Sequence, residues 1–454
     1  MADDAAVPTG RAGPSDGLPE PIEMLLRELG APPPPASART DPLRSWALSG
    51  AMWLSGRPEG PPMTAPGGPA ALVEAALESL AVDHPERLPG AEVLGERAAM
   101  LGLRRQGTRS CGGAARLLPA ADGHVALSLA RPGDEDLLPA LISAEVGSDP
   151  LSELAAWVAA SPAREVADRA QLLGLPAAVV MDPKAGPDEQ AVARGGRAGT
   201  APVLATRGGE RRAAGERPLV VDLSSLWAGP LCAHLLGLLG ADVVKVESPA
   251  RLDGARNGSL EFYDLLHGGH DCVTLELESP GGVSRLRRLL DHADVVIEAS
   301  RPRALAHLGI DPGEFVEQGT TWVSITAYGR TGPWCNRVGF GDDVAVAGGM
   351  VRWVDGAPCF LGDALADPVT GVVAALMARA SLGSGRGHLL DVSMRDVVAS
   401  SLGPVPAHEV LADGRGGWRV STTGGEYDVR PPRRRPAGRA APPPGAHNMK
   451  WFDR

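Results

Sequence analysis

The second half of the chain alternates short apolar segments with helical ones, and this alternation restricts its fold more than any other feature. The predicted strands are Leu219 to Leu223, Asp242 to Val246, Val295 to Glu298 and Trp322 to Ala327, and the predicted helices include Pro230 to Leu239 and Ser284 to Leu290. Strands and helices that alternate with short connections are typical of a parallel, doubly wound sheet. We therefore predict an α/β fold with a Rossmann-like sheet, whose ligands bind at the carboxyl ends of the strands.

Changes in composition along the chain predict five segments. Three stretches are typical of linkers: residues 1–20, Ala31 to Ala36 with four consecutive prolines, and Asp182 to Glu216, which is rich in Gly, Ala, Arg and Glu without a period. The segments are a disordered or linker N terminus (1–40), a small mixed α/β domain (41–181), a linker (182–216), a Rossmann-like large domain (217–405) and a Pro/Arg-rich tail (406–454).

Charge and cysteine usage exclude several classes of protein. A formal net charge of -11 argues against an extended nucleic-acid interface, which needs clustered basic residues. Five cysteines without a Cys-x-x-Cys pair indicate neither a zinc site nor a disulfide framework. We find neither an apolar signal core nor an uncharged apolar run long enough to span a membrane. These features predict a cytoplasmic protein with no membrane or nucleic-acid partner and no bound metal.

The strongest candidate for a reacting group is Asp367, which precedes an Ala-rich helical run in Asp367-Pro-Val-Thr-Gly371. One interpretation is structural, because an Asp-Pro pair suits a helix start and the carboxylate can cap free amides. The other interpretation is chemical, with the carboxylate acting as a nucleophile. Asp363 is the competing carboxylate and ranks second.

The first half contains a segment that resembles the surroundings of Asp367. Asp41 to Gly56 is similar to Asp343 to Gly356, and each is followed by a proline-containing turn and an Ala-rich helix. Aligning the two helices places Gly68 opposite Asp367, so the first copy lacks the carboxylate. We interpret the two copies as a duplication in which the first is degenerate.

Six blocks in the second half resemble the class III CoA-transferase family (CaiB/BaiF), which includes formyl-CoA transferase and carnitine CoA-transferase. The blocks are Val220 to Pro230, Leu239 to Glu247, Ala293 to Pro302, Ile325 to Pro333, Asp367 to Gly371 and Gly385 to Met394. Cys111 to Ala126 and Leu172 to Pro176 resemble parts of the family's small domain, which here precede the large domain. In this rearranged layout the chain resembles a group of actinobacterial acyl-CoA transferase-like proteins.

The resemblance implies that the protein is an acyl-CoA:carboxylate CoA-transferase with Asp367 as the nucleophile. The aspartate of the family attacks an acyl-CoA thioester to give a mixed anhydride, and CoA thiolate then forms an aspartyl-CoA thioester. An acceptor carboxylate takes the CoA in the last stage. The implied substrates are an acyl-CoA and a carboxylic acid, with no permanently bound cofactor, and the family's interlocked dimers imply a homodimer.

The resemblance also implies where CoA binds. Trp227 and Ala228 occupy the turn that lines the family's adenine site, and Ala228 and Gly229 allow a ligand to approach the backbone. Further candidate CoA contacts are Arg256, His270 (where the family has a phosphate-binding lysine), Arg301 and Arg337. For each arginine the alternative is a structural salt bridge or an exposed surface position.

Two other functions remain open at this point. The family includes α-methylacyl-CoA racemases, which pair an aspartate with a histidine, but Phe340 lies at or beside the histidine position here. A two-base isomerase needs a second proton carrier. The rearranged layout and the missing lysine also allow a non-catalytic CoA-binding subunit.

Overall fold

The N-terminal part of the molecule is mainly helical. The computed structural model describes residues 17–82, 87–182, 201–211 and 217–452. The first helices are α1 (Glu20–Glu28), α2 (Pro42–Leu48), α3 (Pro69–Leu80) and α4 (Glu96–Leu101). They are followed by β1 (Ala115–Ala120), β2 (Gly123–Ser128), α5 (Leu138–Ile142), α6 (Pro150–Ala159), α7 (Ala163–Leu172) and β3 (Ala177–Val179). The three strands form an antiparallel sheet in the order β1-β2-β3.

A seven-stranded sheet organises the second half. Its elements are β4 (Val203–Glu210), β5 (Leu219–Asp222), α8 (Ala228–Leu238), β6 (Asp242–Glu247), α9 (Leu260–His267), β7 (Asp271–Thr274), α10 (Pro280–Leu290), β8 (Val295–Glu298), α11 (Pro302–His307), α12 (Pro312–Glu317) and β9 (Thr321–Thr326). After these come α13 (Gly341–Ala347), the short hairpin β10 (Arg352–Val354) and β11 (Ala357–Cys359), α14 (Ala366–Gly383), β12 (Arg386–Ser393) and α15 (Met394–Ser400).

The strand order confirms the predicted fold class. The sheet runs β4-β12-β9-β8-β5-β6-β7, and every neighbouring pair is parallel except β4 with β12. Chain order reverses between β5 and β8, which is the point where an open α/β sheet leaves a crevice at its carboxyl edge. The turn at Trp227 follows β5 and Arg301 follows β8, so both flank this crevice.

The predicted division at residue 181 does not separate two cores. Helix α3 packs against α14, and one continuous core contains Trp46 and Leu72 from the first half with Val372 from the second. A smaller core is confined to β1 to β3 and α5 to α7. The small α/β unit therefore corresponds to the later part of 41–181, whereas α2 and α3 belong to the main body.

Two segments predicted to be disordered or linkers contain ordered elements. In the N terminus, α1 buries Ile22, Leu25 and Leu26, although residues 1–16 lie outside the described residues. In the linker, β4 pairs with β12, whereas 183–200 and 212–216 lie outside the described residues. The pattern missed β4 because the strand lies at the edge of the sheet and most of its side chains are not buried.

The predicted tail also folds. It forms the antiparallel strands β13 (His408–Ala412), β14 (Trp418–Thr422) and β15 (Gly425–Val429), and ends in α16 (Asn448–Phe452). The segment between β15 and α16 crosses helices α8 and α9, where Arg435 donates to Glu96 and contacts His234. Among the described helices, we find none that combines the length and the apolar character needed to cross a bilayer.

Candidate active site

Asp367 is the second residue of α14 and does not cap it. Leu365 holds the N-cap position, and no side chain accepts from the first free amides. The preceding turn, Gly362 to Ala364, has positive φ at both ends, 68° at Gly362 and 43° at Ala364. A left-handed conformation at an alanine is strained, and such strain requires firm support from its surroundings. The geometry therefore argues against the capping interpretation of Asp367.

The carboxylate of Asp367 lies against the start of α13. The backbone N–H of Gly341 donates a hydrogen bond to it. A Cβ at position 341 would overlap both the Asp367 Oδ2 and the carbonyl oxygen of Ala364, so only glycine fits there. Burial raises the pKa of Asp367 to about 7; the positive charge of Arg97 opposes this rise, whereas the neighbouring Asp342 adds to it.

Two more carboxyl groups lie beside Asp367 on α13. The Oδ1 of Asp342 accepts from the Ala364 amide at 3.0 Å, and a hydroxyl from Ser110 also reaches this carboxylate. Burial, with a contribution from the charge of Asp363, raises the pKa of Asp342 to about 6. Asp343 accepts from the Phe340 amide at 2.9 Å, and burial raises its pKa well above the ordinary value. At neutral pH this cluster therefore holds protons that exposed aspartates would release.

Arg97 of α4 is the cation of the site. Its Nε and Nη2 donate to Asp363 Oδ2 and Oδ1 at 2.9 and 2.5 Å, and the Asp363 side chain is completely buried. The guanidinium also lies 5.1 Å from the centre of the Trp227 ring. Arg97 thus joins the carboxylate turn to the turn that follows β5. Arg97 is not recognisable from the sequence, because no motif in 91–101 distinguishes it from a surface arginine.

Two further side chains of the first half hold the same turn. The Oγ of Ser55 accepts from the Gly362 amide at 2.9 Å, and the Sγ of Cys111 donates to the Gly362 carbonyl oxygen at 3.2 Å. Burial raises the pKa of Cys111 well above its usual value, so the thiol stays protonated and can donate. The turn that precedes Asp367 is therefore fixed by residues far from it in sequence.

The Trp227 turn is placed beside Asp367 by helix packing. Gly371, one turn along α14 from Asp367, allows such close approach that a Cβ there would lie 2.6 Å from the Ala228 carbonyl oxygen. Gly229 makes a similar approach to Ser224, whose side chain a Cβ would overlap. Trp227 is only 3% exposed and packs edge-on against Phe262 with 5.1 Å between ring centres. Its indole supports the turn from below and offers no open face to an adenine.

A buried ionic cluster holds the Trp227 turn from beneath. Lys245, completely buried, lies 3.0 Å from Asp253 and 3.5 Å from Asp222, and donates to the Ser224 carbonyl oxygen. Asp253 Oδ1 accepts from the Leu226 amide at 3.0 Å, and Leu226 has a φ of 72°. Burial lowers the pKa of Lys245, but the two carboxylates outweigh it and the net shift is upward. The lysine therefore stays charged and stabilises the strained turn.

Two of the predicted CoA contacts are committed to other groups, and a third is buried and uncharged. Arg256 pairs with Glu247 at 2.6 Å and stacks on Tyr263. Arg337 pairs with Asp168 at 2.5 Å and covers the Trp334 ring. His270 is 6% exposed, and burial together with the charge of Lys245 lowers its pKa to about 4, so it is neutral. These geometries match the structural alternative for both arginines and leave His270 without the charge of the lysine it replaces.

Arg301 lies in different surroundings, at the crevice between β5 and β8. It is exposed, and burial of part of its side chain together with the charges of Arg303, Arg131 and Arg251 lowers its pKa. Within the described ranges, Arg251, Arg301 and Arg303 have no ion-pair partner. Leu226 and Leu252, each 40% exposed, flank this basic face. Unpaired cations beside apolar side chains suit a ligand that carries both phosphates and a base.

Comparison with known proteins indicates the same family as the six sequence blocks of the second half. The model of "CoA-transferase family III" matches residues 218–427, a range that includes both Trp227 and Asp367. This segment belongs to CoA-transferase family III. The predicted family is thus confirmed, whereas Ser55, Arg97 and Cys111 lie outside the matched range.

Several proteins named as CoA-transferases resemble this chain. A succinyl-CoA–D-citramalate CoA-transferase of Chloroflexus aurantiacus is 29% identical over 43% of this chain and 54% of its own. A succinate–glutarate CoA-transferase of Agrobacterium fabrum is 31% identical over 40% of this chain and 51% of its own. The chain thus spans about half the length of these relatives. A crystal structure of a CaiB/BaiF family protein from Brucella suis shares 26% identity, covers 45% of this chain and 65% of its own, and has a TM-score of 0.41.

In the described parts of the chain, no group of three or more His, Cys, Asp or Glu side chains is arranged to hold a metal ion. The arrangement around Asp367 instead combines a carboxylate, a cation and a helix N terminus. Such a set can activate an acyl group and stabilise negative charge that develops on it.

Proposed function

We propose that the protein is an acyl-CoA:carboxylate CoA-transferase in which Asp367 is the nucleophile. The observation that carries the proposal is the position of Asp367, which lies between Arg97 and the α13 N terminus and packs beside the Trp227 turn. The family membership of 218–427 supports the same chemistry. One relative named for succinyl-CoA and D-citramalate and another named for succinate and glutarate suggest a short acyl donor with a carboxylic acid as the acceptor.

The proposed reaction has four steps, and the Asp367 side chain takes part in each of them. A carboxylate oxygen attacks the donor thioester carbon, the C–S bond breaks, and CoA leaves as a thiolate with a mixed anhydride on Asp367. The thiolate attacks the aspartyl carbonyl and releases the donor acid, leaving an aspartyl-CoA thioester. The acceptor carboxylate displaces CoA thiolate to form a second anhydride. The thiolate then attacks the acceptor carbonyl, which gives the new acyl-CoA and regenerates Asp367.

The groups around Asp367 support specific steps of this sequence. The Gly341 amide donates to the Asp367 carboxylate, and such a donor stabilises an oxyanion in a water-poor site, while the charge of the Arg97 guanidinium favours the ionised carboxylate. Only ionised Asp367 can attack, and its pKa of about 7 leaves a substantial ionised fraction at neutral pH. The reaction therefore needs no additional base for its first step.

We place the CoA phosphates on the basic face that Arg251, Arg301 and Arg303 form at the β5–β8 crevice. Its position at the carboxyl edge of the sheet supports this placement, as do its unpaired charges. Of the contacts implied by the resemblance, Arg301 therefore stays a proposal, with the backbone at Ala228 and Gly229. The ion pairs of Arg256 and Arg337, and the buried, neutral ring of His270, favour a structural role for these three residues.

We also propose a cytoplasmic location and a homodimeric assembly. All five cysteines are free thiols, which supports a reducing compartment such as the cytoplasm. The homodimer implied by the family resemblance is tested directly by sedimentation analysis of the purified chain.

Trapping with hydroxylamine tests the proposed function. The protein is incubated with succinyl-CoA, quenched with hydroxylamine and digested, and the peptide that contains Asp367 is mapped by mass. We expect a hydroxamate at Asp367, lost in Asp367→Asn and retained in the exposed control Asp136→Asn. Absence of any adduct, with no CoA binding by calorimetry, would contradict the proposal.

A second function is favoured by one observation, the presence of two near-neutral carboxyl groups at the site. Asp342 and Asp367 have pKa values raised to about 6 and about 7, so each can donate or accept a proton near neutral pH. Such a pair could supply the second proton carrier that the missing histidine leaves open. Exchange of the acyl α-proton with deuterated solvent, without transfer of CoA, selects this isomerase over the transferase.

A further inference from the structure

The turn that presents Asp367 is held almost entirely from the other half of the chain. Three side chains of the first half contact it: Ser55 at the Gly362 amide, Cys111 at the Gly362 carbonyl, and Arg97 at the Asp363 carboxylate. None of the three lies in the range matched by CoA-transferase family III. The Ala364 amide, which follows, is held by Asp342.

We propose that Arg97 is the positioning residue of the Asp367 site: by clamping Asp363 it fixes the strained turn from which Asp367 projects, so that the N-terminal half forms part of the active site. This inference rests on the proposed function of Asp367. Arg97 acts through Asp363, with which it shares two hydrogen bonds, without itself forming a bond to substrate.

The clamp is specific to an arginine. Asp363 accepts through both oxygens from Nε and Nη2, a two-point contact that a lysine ammonium cannot reproduce. The Trp227 ring at 5.1 Å limits where the guanidinium can lie. The carboxylate is buried and the guanidinium largely so, with 28% of the arginine side chain exposed. Loss of one partner leaves the other as an uncompensated buried charge, so breaking the pair strongly destabilises the folded protein.

The same residue also influences the charge of the nucleophile. The titratable groups that face Asp367 are Arg97 from α4, Asp342 and Asp343 from α13, and Asp363 from the turn. Arg97 is the only cation in that set, and it opposes the effects of burial and of the neighbouring carboxylates on Asp367. Removing its charge should therefore make Asp367 harder to ionise, whereas replacing it with lysine should keep much of the charge but loosen the turn.

The experiment compares Arg97→Gln and Arg97→Lys with Arg57→Gln. Arg57 makes another ion pair between the two halves, with Asp355 at 2.7 Å, but is exposed and does not contact the carboxylate cluster. Thermal unfolding of each variant first establishes that it folds. Aspartate labelled with carbon-13 at the carboxyl then reports the titration of Asp367 by NMR, with Asp367→Asn used to assign the signal. The pH profile of adduct formation with succinyl-CoA gives the catalytic effect.

We expect Arg97→Gln to raise the titration midpoint of Asp367 by about one pH unit, the usual effect of losing a nearby opposite charge. Arg97→Lys should keep a nearly normal midpoint but reduce the plateau rate by roughly 10-fold or more, because misplacement of a reacting group is costly. Arg57→Gln should match the wild type in both. If both Arg97 variants match Arg57→Gln, the inference is wrong.

Failure of the proposed function and failure of the inference about Arg97 give different results. If the wild type forms no adduct at any pH, the proposed function fails, while the carboxyl titration still shows whether Arg97 controls Asp367. If Arg97→Gln does not fold, Arg97→Lys and Ser55→Ala replace it in the experiment. Both substitutions loosen the turn, and Arg97→Lys also retains the positive charge. Normal plateau rates in both of these variants would overturn the inference.

Discussion

The guanidinium of Arg97 binds the buried carboxylate of Asp363 through two hydrogen bonds, at 2.5 and 2.9 Å, across the boundary between the two halves of the chain. Four residues after Asp363 lies Asp367, the proposed nucleophile. A contact between α4 and the start of α14 therefore links the segment outside the family match to the chemistry proposed for the matched segment.

The first prediction concerns the pH dependence of adduct formation in the wild type. Attack requires the ionised carboxylate, and burial raises the pKa of Asp367 to about 7. Adduct formation should therefore increase as pH rises through about 7 and level off above it. Single-turnover trapping between pH 5 and 9 measures this profile, and a rate that is flat from pH 5 upward would contradict it.

Substitution Asp367→Asn should change stability in a pH-dependent way. A raised pKa means that the folded protein favours protonated Asp367, so its stabilising contribution is full near pH 4 and is lost as pH rises through about 7. Asparagine stays neutral, so the variant should gain about 2 kcal/mol relative to the wild type between pH 5 and pH 8. Urea unfolding at both pH values gives the difference, and an unchanged difference would show that burial does not raise the pKa of Asp367.

Breaking the clamp from the carboxylate side should also be costly. Asp363→Ala leaves the largely buried Arg97 without its partner and should destabilise the protein by about 3 kcal/mol, in the range found for broken buried ion pairs. Chemical unfolding measures the loss. Asp355→Ala breaks the exposed pair with Arg57 and should cost less than about 1 kcal/mol; equal losses would show that the Arg97 pair contributes no more than a surface contact.

Gly341→Ala should damage the site more than the fold. An added Cβ overlaps the Asp367 carboxylate and the Ala364 carbonyl oxygen, so the nucleophile or its turn must move. We expect a fall in adduct formation of roughly 100-fold, consistent with the effect of small displacements of reacting groups. Gly281→Ala, where no atom lies near the added Cβ, serves as the control. Unaltered trapping in Gly341→Ala would mean that Asp367 reacts from another position.

The proposed phosphate face predicts a salt-sensitive loss of affinity. The double variant Arg301→Gln/Arg303→Gln removes two unpaired, exposed charges near the β5–β8 crevice. The dissociation constant for CoA should rise roughly 10-fold at low salt, and less at high salt, where surface charges are screened. Calorimetry at two ionic strengths tests this, with the exposed Arg44→Gln as the control; equal affinities for both variants would place the phosphates elsewhere.

The central fold could be predicted because it depends on local patterns. Strands β5, β8 and β9 are buried along nearly their whole length, and their sequences are rich in Val, Ile and other strand-forming residues, so each is recognisable as a short strand. The edge strand β4 lacks that signal, and its pairing depends on β12, about 180 residues later in the chain. The small domain was assigned too many residues because α3 has the composition of a general core helix and gives no indication of what it packs against.

The site could be predicted only in part, for a related reason. Asp367 is identifiable from a motif, whereas Asp342, two residues after Phe340, was not predicted as a site residue. Arg97 became recognisable only when the fold brought it to Asp363, because an arginine in a helix has the same local signature on a surface or in a site. The family resemblance predicts Trp227 and His270 in the CoA site, but a motif does not reveal burial, and both side chains are almost inaccessible.

The last described residues have a consequence for the edge of the main sheet. Strand β7 ends the sheet, yet its Cys272 amide and carbonyl bond to His447, and its Thr274 amide bonds to Asn448. An edge strand with free backbone groups is a template for intermolecular β-pairing and aggregation. The segment that contains His447 and Asn448 therefore covers the β7 edge. Shortened versions of the protein that omit this segment are expected to aggregate through β7, for a reason unrelated to catalysis.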